Sequence, residues 1–263
     1  MILSDEEKRR YARQMILLEI GKDGQERLKS AKVLVIGAGG LGSPALLYLA
    51  AAGIGTIGIA DYDKVDLSNL HRQIIHETTE IGRHKTESAA DTISDLNPNI
   101  KTKLITQKID EQNAAEIVSD YNVVLDGSDN FETRFAVHDA CFSASKPYIS
   151  AAVLGFEGQL SVFKGYEDDQ PCYRCFNPEI PPAGTIPTCS ENGILGTVTG
   201  IMGAWQANEA IKEILEIGDS LSGKLIIFNG LTSEIRKVSI SKDTACSLCS
   251  EKIKNPVSKK LSA

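Results

Sequence analysis

The chain has 263 residues, 42% apolar and 24% charged, enough to bury a large core without needing a metal or disulfides merely to fold. Its 28 basic and 35 acidic side chains give a net charge of −7, and no cluster of Lys and Arg is long enough to track a phosphate backbone, so nucleic acid is not an expected partner. The opening MILSDEEKRRYARQ has no apolar stretch of the kind a secretory signal needs, which places the protein in the cytoplasm with its six cysteines reduced and free for metal binding or chemistry.

In chain order, residues 5–28 combine helix formers with charges and predict exposed helices outside the main sheet. VLVIG follows as a β-branched strand ending in a glycine turn, then a helix over 43–52 with Pro44 near its start, then TIGIAD as a second strand. Residues 33–60 carry no charge and are long enough to cross a bilayer, but seven glycines and Pro44 split them into strand, helix and strand. Further helices are predicted over 84–96 and 113–119, and strands over 103–106, NVVLD and 148–153. This alternation argues for an α/β fold, a Rossmann-like doubly wound and mostly parallel sheet with its ligand crevice at the carboxyl ends of the strands. Past residue 153 the pattern becomes more irregular and mixed: strands at GQLSVF, KLIIFNG and EIRKVSI, a helix within 195–217, and a proline- and glycine-rich loop from 168 to 193. The expected division is an N-terminal helical segment (1–30), a nucleotide-binding half (31–153), a second half (154–250) and a tail (251–263).

Gly37, Gly39 and Gly42 form G-x-G-x-x-G after a strand and before a helix, with Asp61 19 residues beyond Gly42. Glycines let the backbone approach phosphate, the helix start offers unpaired N–H groups, and the acid can hold ribose hydroxyls. Those features recognise an adenine nucleotide without saying whether it is a redox cofactor or a substrate. The neighbours decide: Asn69, Arg72 and Lys85 follow the acid, and Asp126 and Asp129 lie in DGSDN at another strand end. Cations and a carboxylate converging on one crevice suit a triphosphate with Mg²⁺ better than a nicotinamide ring. Cys172-x-x-Cys175 and Cys246-x-x-Cys249, with 70 residues between the pairs, make a closed four-thiolate set suited to structural Zn²⁺, with a redox disulfide as the rival. Cys141 reads as a core cysteine, and His71, His76, His84 and His138 as loop or helix-surface residues without a catalytic role.

The set RYARQ, GAGGLGSP, D-x-D-x-V-x-x-S-N-L-x-R-Q, G-x-x-K, D-x-S-D-N and the two C-x-x-C pairs closely resembles the ThiF/MoeB/HesA family of bacterial ubiquitin-activating-type adenylyltransferases, over nearly the whole chain and in the same order. The resemblance implies ATP as substrate with Mg²⁺, and a ubiquitin-like sulfur-carrier protein whose C-terminal glycine is adenylated with release of pyrophosphate. The carrier, of the kind serving thiamine or molybdopterin synthesis, would dock on the second half. It makes Gly39, Gly40 and Gly42 phosphate-loop glycines and Asp61 the ribose ligand. Asn69, Arg72 and Lys85 become phosphate contacts, Asp129 the Mg²⁺ carboxylate, and Asp63, Gln73 and Asn130 their neighbours in the site. Arg13 would reach the partner's triphosphate in a homodimer. Cys189 corresponds to a cysteine that forms a covalent link in some relatives and is a bystander in others. Because only about 14 residues follow Cys249, the sulfur is expected from a separate donor protein. The alternatives weighed are an NAD-dependent oxidoreductase, a tRNA-modifying dehydratase of the same superfamily, and a zinc-stabilised scaffold that binds nucleotide without turnover.

Overall fold

A computed structural model describes residues 2–182 and 192–250, and the geometry that follows is of those residues. Three apolar stretches become the centre of a sheet: β1 (Lys32–Ile36), β2 (Thr56–Ala60) and β4 (Val123–Asp126). Nearly every residue in them is buried, as expected of parallel strands covered on both faces by helices. β3 (Lys101–Ile105) is the exposed edge beside β2, and β5 (Tyr148–Leu154) pairs parallel with β4. β6 (Glu157–Phe163), β7 (Lys224–Asn229) and β8 (Glu234–Ser239) then continue the same sheet antiparallel, giving eight strands in the order β3-β2-β1-β4-β5-β6-β7-β8. Strand order reverses between β1 and β4, which opens a crevice at their carboxyl ends.

The N-terminal helices α1 (Asp5–Arg10), α2 (Ala12–Met15) and α3 (Gly21–Ser30) precede the sheet. α1 begins with a capping box in which the Ser4 hydroxyl accepts from the Glu7 N–H and the Glu7 carboxylate from the Ser4 N–H. These helices are less peripheral than their charged composition suggests. Leu28 of α3 is fully buried in the main core, and α3 packs on α9 (Gly196–Leu215), the longest helix. Gly24, Gln25 and Leu28, the buried residues of α3, share one face although Leu28 alone is apolar, which a composition-based reading misses.

α4 (Gly42–Ala52) buries Leu46 and Leu49 completely against the sheet and α9, a gain of about 1.5–3 kcal/mol for each side chain. It stops at Gly53, whose φ of 87° is a left-handed conformation that a side chain disfavours. α5 (Lys85–Leu96) and α6 (Ala114–Ser119) connect β2, β3 and β4, and α7 (Phe131–Ser143) connects β4 to β5. The single turn α8 (Tyr173–Phe176) carries the first cysteine pair. Cys141 is buried in the second core cluster, as its sequence context indicates, and burial pushes its thiol well up. His76 lies in a loop as expected but is buried, and His138 departs from the sequence reading, buried on α7 among Tyr148, Phe163 and Tyr173. No helix among the described residues is long and apolar enough to cross a membrane.

Candidate active site

A cleft of about 640 Å³ opens at the carboxyl ends of β1, β2 and β4 and runs along one face of β5 and β6. Its first wall is the glycine turn. Gly37 has φ 86° and its N–H donates to Ala60 O at 2.7 Å, which turns the chain sharply out of β1. Gly42 sits so close beneath that a Cβ there would lie 1.8 Å from Gly37 O, so only glycine lets α4 start against the strand end. Gly39 and Gly40 line the cleft, whereas Gly42 lies behind them in this packing role. The N-terminal turn of α9 closes in from the other side, where Thr199 lies against Gly40 and also lines the cleft.

At the end of β2, Asp61 accepts a hydrogen bond from Ala38 N–H (2.8 Å) through Oδ2 and from Asp63 N–H (2.9 Å) through Oδ1. Burial pushes its carboxyl above the ordinary range, against the pull of Lys85 and of those two amides. Lys85, nearly buried at the first turn of α5, holds Asp63 Oδ2 at 2.9 Å and stands 4.0 Å from Asp61 Oδ2. Arg72 lines the cleft with its guanidinium on Ser68 O and His71, and Gln73 is buried beside it with no partner for Oε1 among the described residues.

The third wall is the turn after β4. Asp126 is fully buried, accepts from Ser128 N–H (2.8 Å) and is bonded by the Tyr148 hydroxyl. Asn130 caps α7 by accepting from Thr133 N–H at 2.9 Å, and Asp129, exposed, projects from the turn into the cleft. Asp61, Asp63 and Asp129 reach one another's surroundings: after burial, all three carboxylates push the Tyr62 phenol up. Arg134, one turn into α7, is a lining residue the sequence reading missed. It bonds Ser128 O and Ala151 O through Nη2 and Ser150 Oγ through Nη1, so it ties the Asp129 turn to β5. Burial works against its charge, but Asp126, Tyr148 and Tyr173 outweigh that and hold the guanidinium above its usual range. No local sequence signal marks it, because its partners Ser128 and Ala151 are brought to it by the packing of α7.

Of the residues expected at the site, Gly39, Gly40, Asp61, Asp63, Arg72, Gln73, Lys85, Asp129 and Asn130 line this one cleft. Asn69 ends a turn (Leu67–Asn69) outside the lining, where its carbonyl accepts from the N–H groups of Arg72 and Gln73. Arg13 is exposed on α2 and does not line the cleft of its own chain. Cys189 lies outside the described residues.

The four cysteines of the two pairs come together at the other end of the sheet. Cys172 lies 3.9 Å from Cys175 and 3.5 Å from Cys246, Cys175 lies 3.4 Å from Cys249, and all four sulfurs fall within 4.8 Å of one another. None forms a disulfide. A zinc tetrahedron with Zn–S bonds of about 2.3 Å has S···S edges of about 3.8 Å, so the cluster has the size and donor chemistry to hold Zn²⁺. The backbone N–H groups of Asp243 and Leu248 donate to Cys175 and Cys246, as thiolate ligands require, and hydrogen bonding from Cys172 and the Asp243 amide pulls the Cys175 thiol down. Asp139 of α7 grips Arg174, between the first two cysteines, through both carboxylate oxygens (2.6–3.1 Å).

The sheet order, the glycine turn at β1 and the acid at the end of β2 define a Rossmann-like α/β protein. The chain belongs to the ThiF family, whose model matches residues 11–248. It is 48% identical over 245 residues to the probable adenylyltransferase/sulfurtransferase MoeZ of Mycobacterium tuberculosis, an alignment covering 92% of this chain and 62% of MoeZ. It is 41% identical over 249 residues to a sulfur carrier protein adenylyltransferase of Thermus thermophilus, covering 94% and 92% of the two chains. The chain thus spans about three-fifths of MoeZ and nearly all of the Thermus relative. Among solved structures, Escherichia coli MccB superposes with a TM-score of 0.80 at 23% identity, covering 92% of this chain and 74% of MccB, a likeness of fold. PaaA gives 0.77 at 26%, covering 92% and 76%.

Proposed function

We propose that this protein transfers AMP from ATP to the C-terminal glycine carboxylate of a ubiquitin-like sulfur carrier. The observation that carries the reading is the meeting of Arg72, Lys85 and Asp129 beside Asp61 in one cleft that continues as a slot along β5 and β6. Along that slot Ser150 faces Ser161 and Ala152 faces Gln159 across β5 and β6. An extended tail ending in glycines has no side chains to clash there and arrives at the nucleotide carboxylate first. The Thermus thermophilus relative, matched over nearly its full length, carries the corresponding name.

A peptide C-terminal carboxylate has a pKa of roughly 3.3–3.7, so at neutral pH it is already the nucleophile and no general base is needed. Its oxygen attacks the α-phosphorus in line, the bond to the β-phosphate oxygen breaks, and pyrophosphate leaves with the electron pair. Asp61 holds the ribose, the Gly39 and Gly40 backbone meets the phosphates, and Arg72 and Lys85 offset the charge that develops on the leaving group. Asp129 supplies the hard oxygen donor that Mg²⁺ takes alongside phosphate oxygens, where the ion would neutralise pyrophosphate. Sulfide-level sulfur then attacks the acyl carbon of the adenylate, the bond to the AMP oxygen breaks, and a thiocarboxylate is left on the carrier. Zn²⁺ on the four cysteines would act structurally, fixing Tyr173 and Phe176 of α8, which line the far end of the cleft. Thiol ligands of this kind fit the reducing cytoplasm.

Arg13 belongs in this scheme to a second copy of the chain. It sits beside Ile16, Leu17 and Leu18, three exposed apolar side chains of which Leu18 is 97% exposed. A homodimer covering that strip would deliver Arg13 to its partner's triphosphate. ATP–pyrophosphate exchange, measured with carriers of the thiamine and molybdopterin types in turn, tests the reading and names the pathway. Exchange with one carrier supports it; no exchange with any, together with firm NAD binding, overturns it.

A further inference from the structure

His76 is one of two histidines the fold buries, and nothing in the adenylation chemistry uses it. Its imidazole bridges the glycine turn and α5. Nε2 lies 2.9 Å from Ala38 O, and Nδ1 lies 2.7 Å from the hydroxyl of Ser88, one turn along α5 from Lys85. Ser88 in turn donates to Glu80, which also accepts from Glu77 N–H and pairs with Arg83. A carbonyl only accepts, so Nε2 carries a proton whatever the state of Nδ1.

Ala38 O shares a planar trans peptide with Gly39 N–H, and the two point in opposite directions. The other peptide of Ala38 is fixed as well, because its N–H donates to Asp61. Holding Ala38 O on the buried side therefore turns the Gly39 amide outward at a residue that lines the cleft, where it has no hydrogen-bond partner among the described residues. His76 does not line the cleft itself.

We propose that His76 is a positioning residue that, by donating from Nε2 to Ala38 O, aims the Gly39 N–H at a phosphate of the bound nucleotide. The inference rests on the nucleotide reading above. The geometry separates two substitutions. The amide of His76→Gln reaches the place of Nε2 and keeps the donor on Ala38; that of His76→Asn reaches only the place of Nδ1 and loses it. Three effects are expected. His76→Asn raises the KM for ATP about tenfold, the scale of one lost hydrogen bond, and leaves the KM for the carrier unchanged. His76→Gln stays within about twofold of the parent on both, since it retains that bond. In the nucleotide-free protein, ¹⁵N spectra show a protonated His76 Nε2 and a Gly39 amide resonance displaced in His76→Asn only.

Equal effects of the two variants on the ATP KM, or an unprotonated Nε2, would overturn the proposal and leave His76 as core packing. If the parent protein exchanges pyrophosphate with no carrier while the spectra behave as expected, the adenylation reading fails and the positioning of the Gly39 amide stands.

Discussion

At the β1–β2–β4 end of the cleft, the acids after β2 find partners close in sequence: Ala38 N–H meets Asp61 across 23 positions and Lys85 meets Asp63 across 22. At the β5–β8 end the equivalent ties cross 74 positions, from Cys172 to Cys246 and from Cys175 to Cys249. The first end is set by steric fit and buried hydrogen bonds on rigid strand termini. The second, whose outer strand β8 is exposed along its whole length, depends on closing a long loop through sulfur. Under the proposed function, nucleotide binding and carrier binding therefore rest on separable supports, so damage to one should leave the other measurable.

The sharpest way to break that separation is Asp129→Ala, expected to lower pyrophosphate exchange by about a hundredfold to a thousandfold, the size of removing a preorganised charge from a reaction site. Mixing that variant with Arg13→Ala should recover about a quarter of the parent rate, because half the dimers are mixed and each then holds one complete cleft. A mixture as inactive as its components would remove the shared-site dimer. Gly42→Ala acts on the framework instead: a Cβ 1.8 Å from Gly37 O must move backbone, at a cost of about 3 kcal/mol read from urea denaturation. Cys172→Ser probes the opposite end. It should abolish stoichiometric zinc and raise the carrier KM about tenfold, as when one binding contact is lost, while the ATP KM stays put. A matching rise in the ATP KM would show that the two ends share a support after all.

The smallest effect concerns pH. Burial raises the Asp61 carboxyl above its ordinary 3.8, so on acidification Asp61 loses its charge earlier than a free aspartate would. The KM for ATP should climb in that window, and Asp61→Asn should flatten the profile. The sign for folding is opposite to that of a salt-bridged acid. The native state binds this proton more tightly than the unfolded chain, so the contribution of Asp61 to stability falls as pH rises from 3.8 through the raised midpoint.

The same contrast governs what could be read from sequence. The glycine turn, Asp61, the DGSDN turn and the cysteine pairs were legible because each is a short motif whose spacing has a single geometric use. Arg134 was not, because a charged residue on a helix ordinarily faces water and only the tertiary position of α7 turns it onto Ser128 and Ala151. The burial of His76 and His138 was missed for a related reason: a histidine between an apolar and an acidic neighbour, as in Ile75-His76-Glu77 and Val137-His138-Asp139, carries no local mark of which way it faces. Leu28 shows the same limit within α3, where one apolar contact among charges decides how the helix docks.

Lys85 faces the cleft with its counter-charge already attached, since Asp63 lies 2.9 Å from its ammonium and Asp61 4.0 Å. A lone inorganic anion must compete with a tethered carboxylate for that cation and offers nothing to Asp61 in return. A nucleotide brings a sugar for one acid and phosphates for the base that the other releases. In the proposed function, Asp63 would hand Lys85 over to a phosphate while Asp61 takes the sugar, an exchange that a lone inorganic anion cannot complete.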